Sequence, residues 1–207
     1  MLYVSHNMNT IRRLCERCVV LDKGKIIYNG DVEKAIEVYL GKNTKFPPVV
    51  DLRNIQRTQQ HAEGIQLTSM EVLDRADWTV NAGEKLRFII RAKATEELRH
   101  VGFRARLHCV DGTSVSVLLA RDLICCVADE EIEIPLEADI SQLVPGTYYL
   151  TPSLYGVNEY GAWHFYDHIE QAVAFEVKTV VGFNENMPWD QKWWGNIKLP
   201  ELMDLRK

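Results

Sequence analysis

The stretch Gly146-Thr147-Tyr148-Tyr149-Leu150-Thr151-Pro152-Ser153-Leu154-Tyr155 decides the fold. Read at period two, Tyr148, Leu150, Pro152 and Leu154 share one face, and Tyr149, Thr151, Ser153 and Tyr155 share the other. That is the pattern of a strand with one apolar side. The same alternation recurs in Leu86, Phe88, Ile90 and Ala92, in Val101, Phe103, Ala105 and Leu107, and in Val173, Phe175 and Val177. Turn signals separate these sets: Asn81-Ala82-Gly83, Asp111-Gly112, Pro145-Gly146 and Asn158 to Gly161. Adding Ile65–Leu73, Ser114–Leu119 and Glu131–Leu136 gives about seven short strands, the number and spacing of an immunoglobulin-like antiparallel β-sandwich. Residues 65–178 are therefore expected to be mostly β. Pro152 weakens its own strand, since proline has no N–H for a ladder.

Outward from this core, residues 1–40 read as a small α/β piece. Leu2-Tyr3-Val4 has the look of a strand end, and Ile11, Leu14, Cys15 and Cys18 recur at helical spacing. Cys18-Val19-Val20-Leu21-Asp22 and Lys25 to Tyr28 are expected as strands joined by a Lys23-Gly24 turn. Asp31 is placed to cap a helix running to Leu40. The Pro47-Pro48 pair and the polar run Gln56 to Glu63 make 41–64 a linker. Residues 179–207 form a tail with Trp189, Trp193 and Trp194, which are expected to pack on their own sandwich or on another protomer.

Composition excludes several classes. Of 207 residues, 46% are hydrophobic and 26% charged, a globular balance that leaves no room for a disordered chain or a coiled coil. Lys+Arg 24 against Asp+Glu 29 gives a formal charge of −5, which argues against nucleic acid as a partner. Five cysteines, two of them adjacent at Cys125-Cys126, are not a disulfide framework and point to a reducing cytoplasm. Cys15-Glu16-Arg17-Cys18 has no second Cys or His pair to complete a zinc site, so no metal is expected there.

Val4-Ser5-His6-Asn7, a helix, Val20-Leu21-Asp22-Lys23-Gly24-Lys25-Ile26 and Asn29-Gly30-Asp31 together resemble the end of an ABC-transporter nucleotide-binding domain. The linker and a sandwich with Ala82-Gly83-Glu84, Leu143-Val144-Pro145-Gly146-Thr147-Tyr148 and Ala174-Phe175-Glu176-Val177 extend this. The whole resembles the ATP-binding subunit of polysaccharide exporters, the O-antigen export proteins of the Wzt type. The resemblance implies that His6 is the switch histidine at the γ-phosphate in an intact ATPase, that 1–40 is a remnant of that domain, and that the sandwich binds the exported glycan. It further implies a homodimer joined through the C-terminal domain, a transmembrane permease partner, and a cytoplasmic place at the inner membrane. The chain has no GxxxxGK[ST] loop to cradle phosphates, so it is read as a C-terminal piece with no ATPase activity. ATP and magnesium would belong to the intact parent, and no cofactor is expected here.

Alternation supplies candidate site residues. With Val101, Phe103, Ala105 and Leu107 inward, Arg104, Arg106 and His108 face out, beside Tyr149, Thr151, Ser153 and Tyr155. By immunoglobulin order the two strands are neighbours in one sheet. Aromatic rings stack on the C–H faces of sugars, and a guanidinium fork donates to hydroxyls or anionic groups. This face is therefore the expected bacterial surface-polysaccharide site, open and peripheral to the core. The other reading of the face is a solvated sheet with cross-strand Arg–Tyr packing, in a domain that only dimerises and scaffolds the transporter. Trp163-His164-Phe165-Tyr166-Asp167-His168 is expected as a loop before the last strand, its aromatics extending the sugar site or folding back on the sandwich edge.

Overall fold

The computed structural model describes residues 11, 15–22, 24–39, 46–55, 57, 64–110, 112–180, 189, 194–200 and 202–203. His6, Trp193 and the strand expected at 2–4 lie outside them.

In the N-terminal piece, β1 (Cys18–Asp22) and β2 (Lys25–Gly30) pair as the expected hairpin, and Gly24 takes the positive φ its turn requires, +77°. The helix α1 (Val32–Tyr39) is capped as the sequence suggests: the Lys34 N–H donates to Asp31 Oδ1 at 3.0 Å.

The rest of the strands are β3 (Val49–Asp51), β4 (Ile65–Val72), β5 (Thr79–Asn81), β6 (Leu86–Ala94), β7 (Leu98–Cys109), β8 (Ser114–Cys126), β9 (Glu131–Ala138), β10 (Gly146–Val157), β11 (Trp163–His168) and β12 (Val173–Lys178). They form two sheets. The smaller runs β3-β4-β6-β9, and the larger runs β5-β12-β10-β7-β8 with β11 also paired to β10. Every pairing but the short parallel contact of β5 with β12 is antiparallel. This is the expected sandwich. Its core holds Trp78, Phe88, Phe103, Tyr148 and Phe175, all essentially inaccessible. Their rings touch in tilted or stacked pairs, such as Phe88–Phe103 at 6.2 Å and Tyr148–Phe175 at 5.5 Å. The Tyr148 hydroxyl donates to the Val144 carbonyl at 2.7 Å, which ties the entry of β10 to the loop before it in the manner of a tyrosine corner.

Three features differ from the sequence expectation. The segment 41–64 contains β3, which pairs with β4 at Val49↔Glu71 to Asp51↔Ser69, and Leu52 beside it is fully buried. Two prolines and a polar run mask a three-residue strand too short to show a period. Trp163–His168 is a strand, not a loop. And Pro152 interrupts nothing. β12 pairs with Gly146–Leu150 and β11 with Ser153–Val157 along one edge of β10, so the missing N–H falls where that edge passes from one neighbour to the other. The Pro152 carbonyl still accepts from the Ile169 N–H at 3.1 Å.

Part of the tail packs on its own sandwich. Ile197 bridges to Leu143, Val144 N–H donates to Asn196 O at 3.2 Å, and Lys198 N–H to Gln142 O at 2.8 Å. Trp189 and Trp194 meet edge to face at 5.7 Å, with the Trp189 indole donating to Gly195 O at 2.8 Å.

Candidate functional site

The face of the larger sheet turned away from the core carries the expected residues, on two strands that are neighbours as expected. β7 and β10 align Tyr149 with His108, Thr151 with Arg106, Ser153 with Arg104 and Tyr155 with Gly102. β8 adds Val117 opposite Arg106 and Leu119 opposite Arg104, both more than 40% exposed.

A bulge in β11 brings further side chains to this face. Tyr155 pairs with Phe165 and Leu154 with Asp167, so Tyr166 is the extra residue. Phe165 and His168, three apart, therefore both point outward, and their rings lie 5.4 Å apart. Asp167 turns inward. It is fully buried and accepts from Arg57 Nε at 3.1 Å, Arg57 Nη2 at 3.2 Å and the Leu67 N–H at 2.8 Å. Arg57 also donates to the carbonyls of Leu52 and Ile55, so the end of the expected linker is fastened to β4 and β11 at one point. His164 pairs with Gly156 and packs edge-on against Tyr166, while His168 pairs with Ser153. The bulge thus separates the two histidines that a helical spacing would have placed together.

The outward residues are not open, which corrects the expectation. Tyr155 is 3% exposed, and Ser153, Thr151 and His108 are buried as well, while Tyr149 is half-buried. Trp163, opposite Val157, lies parallel to the Tyr155 ring with centroids 4.3 Å apart and 12° between planes. A Cβ on Gly102 would strike the other side of that ring, so glycine is what lets Tyr155 lie down on β7. The exposed aromatic is therefore Trp163, at 47%, not Tyr155.

The buried hydroxyls join a polar network. Glu170, in the turn after β11, receives Arg106 Nη2 at 2.9 Å, the Thr151 hydroxyl at 3.2 Å and His168 Nε2 at 3.0 Å. With Nε2–H spent on Glu170, His168 Nδ1 accepts from the Ser153 hydroxyl at 2.8 Å. Thr151 Oγ1 gives its proton to Glu170 and accepts from Gln171 N–H at 2.9 Å, so His108 Nε2, 2.6 Å away, is the donor in that contact. Burial holds the His108 pKa below its ordinary value, and Arg106 adds to this. Burial pushes Glu170 up, but His168 and the Arg106 charge outweigh it and the carboxyl ends lower than usual. Arg104 lies over the Phe165 ring at 4.6 Å, and burial with the nearby Arg106 charge lowers its pKa.

This arrangement offers an exposed indole, a guanidinium over the Phe165 ring and two further apolar contacts on β8. Ser153, the hydroxyl bonded to His168, is fully buried. Among the described residues no three His, Cys, Asp or Glu side chains are grouped to hold a metal. A separate shallow depression lined by Leu73, Asp74, Arg75, Glu84, Lys85 and Arg87 has its cations paired, Arg75 with Glu84 at 2.7 Å and Lys85 with Glu137 at 2.6 Å. Sequence reasoning missed His168 and Glu170 as parts of the face, and offered the aromatics of Trp163–Tyr166 only as a loop that extends the site or folds back on the sandwich edge. The signal was present as alternation of Trp163 and Phe165, but the bulge breaks the period before His168.

Comparison with known proteins bears on the fold and the family. The crystal structure of the C-terminal domain of wzt overlays with a TM-score of 0.59 at 14% identity, covering 76% of this chain and 91% of that one. A Niemann-Pick type C2 protein from Japanese carpenter ant overlays more loosely, with a TM-score of 0.38 at 10% identity over 61% of this chain and 98% of that one. The molybdenum import ATP-binding protein ModC of Photorhabdus laumondii subsp. laumondii is 32% identical over 100 residues, 44% of this chain. The chain spans only 27% of that relative's length. Residues 56–186 match the model of the Wzt C-terminal domain, more than half of the sequence and all of β4 to β12. The chain belongs to the Wzt C-terminal domain family.

Proposed function

We propose that this domain recognises the polysaccharide handled by an ABC exporter, and that it does so on the outer face of the larger sheet, with Trp163 as the stacking platform. The observation that carries the reading is the Trp163–Tyr155 pair. A large ring that is 47% exposed sits in a fixed plane on a buried neighbour, so its free face is presented at little cost in side-chain entropy. Arg104 beside it supplies forked donors, and Val117 and Leu119 supply apolar contact. Tyr155, Ser153, Thr151 and His108 then act beneath the surface, fixing Trp163 and Glu170, while Arg104, Arg106 and Tyr149 remain within reach of a ligand.

In this reading the ATP-binding subunit to which the domain belongs holds ATP and magnesium through residues other than these, and couples cargo to a transmembrane permease at the cytoplasmic side of the inner membrane. No helix among the described residues is long and apolar enough to cross a membrane. The proposed assembly is a homodimer, for which the exposed Leu199, Leu202 and Met203 of the tail offer apolar surface. A scaffolding domain with no sugar site is the competing reading. Calorimetric titration of the chain with the surface polysaccharide of its source organism separates them. Saturable binding that Trp163→Ala weakens supports recognition. A dimer that binds no glycan leaves scaffolding.

A further inference from the structure

Among the described residues Asp167 is the only buried carboxylate, and Arg57, 110 positions earlier, is the cation that meets it. Arg57 Nε and Nη2 donate to its two oxygens at 3.1 and 3.2 Å. The same guanidinium donates to the carbonyls of Leu52, Arg53, Ile55 and Leu67. The segment that carries it is seated in turn. The Leu52 N–H donates to the Thr68 carbonyl at 2.9 Å, where β4 is bulged against β6 between Leu67 and Ser69. Asp167 accepts the Leu67 N–H at the same place.

The bulge in β11 gives this carboxylate a second possible position. Asp167 faces Leu154 and His168 faces Ser153 only because Tyr166 is skipped. Continued without the skip from Tyr155↔Phe165, the ladder would set Tyr166 against Leu154, Asp167 against Ser153 and His168 against Pro152. Asp167 would then turn out, onto the face that carries Arg104, and His168 would turn in, away from Glu170. Fully buried Ile169 favours the bulged register, since it alternates onto the same side as Asp167. Against that register stands a carboxylate in the interior, which is costly for a charge with no partner. Tyr166, already partly buried against the core, can fill the inward place in the other register.

We propose that Arg57 is a register latch: by pairing with Asp167 in the interior it holds β11 in its bulged pairing, so that the segment carrying Arg57 determines which side chains β11 presents on the outer face. The role is a positioning one. It is exerted from the stretch that joins the N-terminal piece to the sandwich, and it goes beyond the glycan reading, since it holds whatever that face binds. With the latch seated, Phe165 and His168 stand on one face and His168 reaches Glu170. With it withdrawn, Asp167 takes the place of His168. A buried ion pair suits this task, because what counts is the difference it makes between two registers and not its net contribution to stability. By linkage, a ligand that favours the bulged arrangement tightens the Arg57–Asp167 pair by the same free energy.

The test reads the register of the full chain at neutral pH from cross-strand NMR contacts along β10 and β11. The parent is expected to show Ser153 against His168 and Leu154 against Asp167. Arg57→Met should shift these by one residue, to Ser153 against Asp167 and Leu154 against Tyr166. Arg57→Lys keeps the charge and should keep the parent contacts. Two double variants cover a loss of fold in Arg57→Met. Combined with it, the apolar Asp167→Leu should give the parent contacts, and the polar, uncharged Asp167→Asn the shifted ones. Shifted contacts in Arg57→Met or in the Asp167→Asn chain, with parent contacts in the Asp167→Leu chain, support the latch. Parent contacts in Arg57→Met, or the same contacts in both double variants, overturn it. Loss of fold in all three chains overturns it as well, because the pair would then hold the fold and not the register.

Discussion

Trp163 lies flat on Tyr155, centroids 4.3 Å apart, and Tyr155 in turn lies flat on the Cβ-less backbone of Gly102. Three layers in one stack turn a tyrosine that alternation places outward into a buried support. The free face of the indole is what solvent, or a sugar, meets.

Replacing the middle layer should therefore cost stability rather than binding alone. Tyr155→Ala removes a ring that is 3% exposed, and a loss of about 3–5 kcal/mol is expected. Urea denaturation measures it. An unchanged midpoint would place Tyr155 at the surface, as the sequence by itself implied.

Gly102→Ala attacks the same stack from below. Its Cβ cannot coexist with the Tyr155 ring, so either the ring or β7 must shift, at about 1–3 kcal/mol. The tilt passes to Trp163, whose emission should move with the loss of stability. A variant with parent stability and parent emission would mean that the ring does not rest there.

The alternation of β7 and β10 was readable because each strand has one apolar side, and immunoglobulin order made them neighbours; the register that pairs Tyr149 with His108 and Ser153 with Arg104 does not follow from alternation. What period two cannot show is how much covers the other side. Trp163, Phe165 and the turn at Glu170 lie over Tyr155 and the hydroxyls, and they come from a strand whose bulge at Tyr166 defeats simple counting. β3 was hidden for a different reason. Its three residues follow a proline pair, and its membership depends on pairing with β4 and on Arg57 reaching Asp167, which are both non-local.

That Arg57–Asp167 pair is a second point of attack. Asp167→Ala leaves a nearly buried guanidinium and the Leu67 N–H without an acceptor, and about 3–5 kcal/mol should be lost. Arg57→Met combined with Asp167→Leu should recover much of it, because both charges then leave together. Chemical denaturation of the three chains decides. Equal damage in the single and the double variant would show that packing, not charge, holds this corner.

The polar network predicts the direction of the acid response. His108 has its pKa held below 6.5 in the folded chain, so the unfolded chain binds the proton first as pH falls. Stability from this group is full above about 6.5 and declines below it. Glu170, whose pKa is also lowered, contributes in the same direction in the range below its ordinary 4.5. His108→Gln should flatten the stability profile between about pH 7 and pH 5 and leave the lower limb in place. Urea midpoints across that range would contradict this if parent and variant ran parallel.

The central claim, that a glycan rests on Trp163, is tested most directly by nitrogen-detected NMR of the tryptophan indoles during titration with the source organism's polysaccharide. Trp163→Phe assigns the signal. The account predicts that the Trp163 indole and the amides of Leu119 and Arg104 shift together and saturably, while the indole of buried Trp78 stays in place. Saturable shifts confined to other surfaces, or none at all at concentrations that saturate the chain, would contradict it.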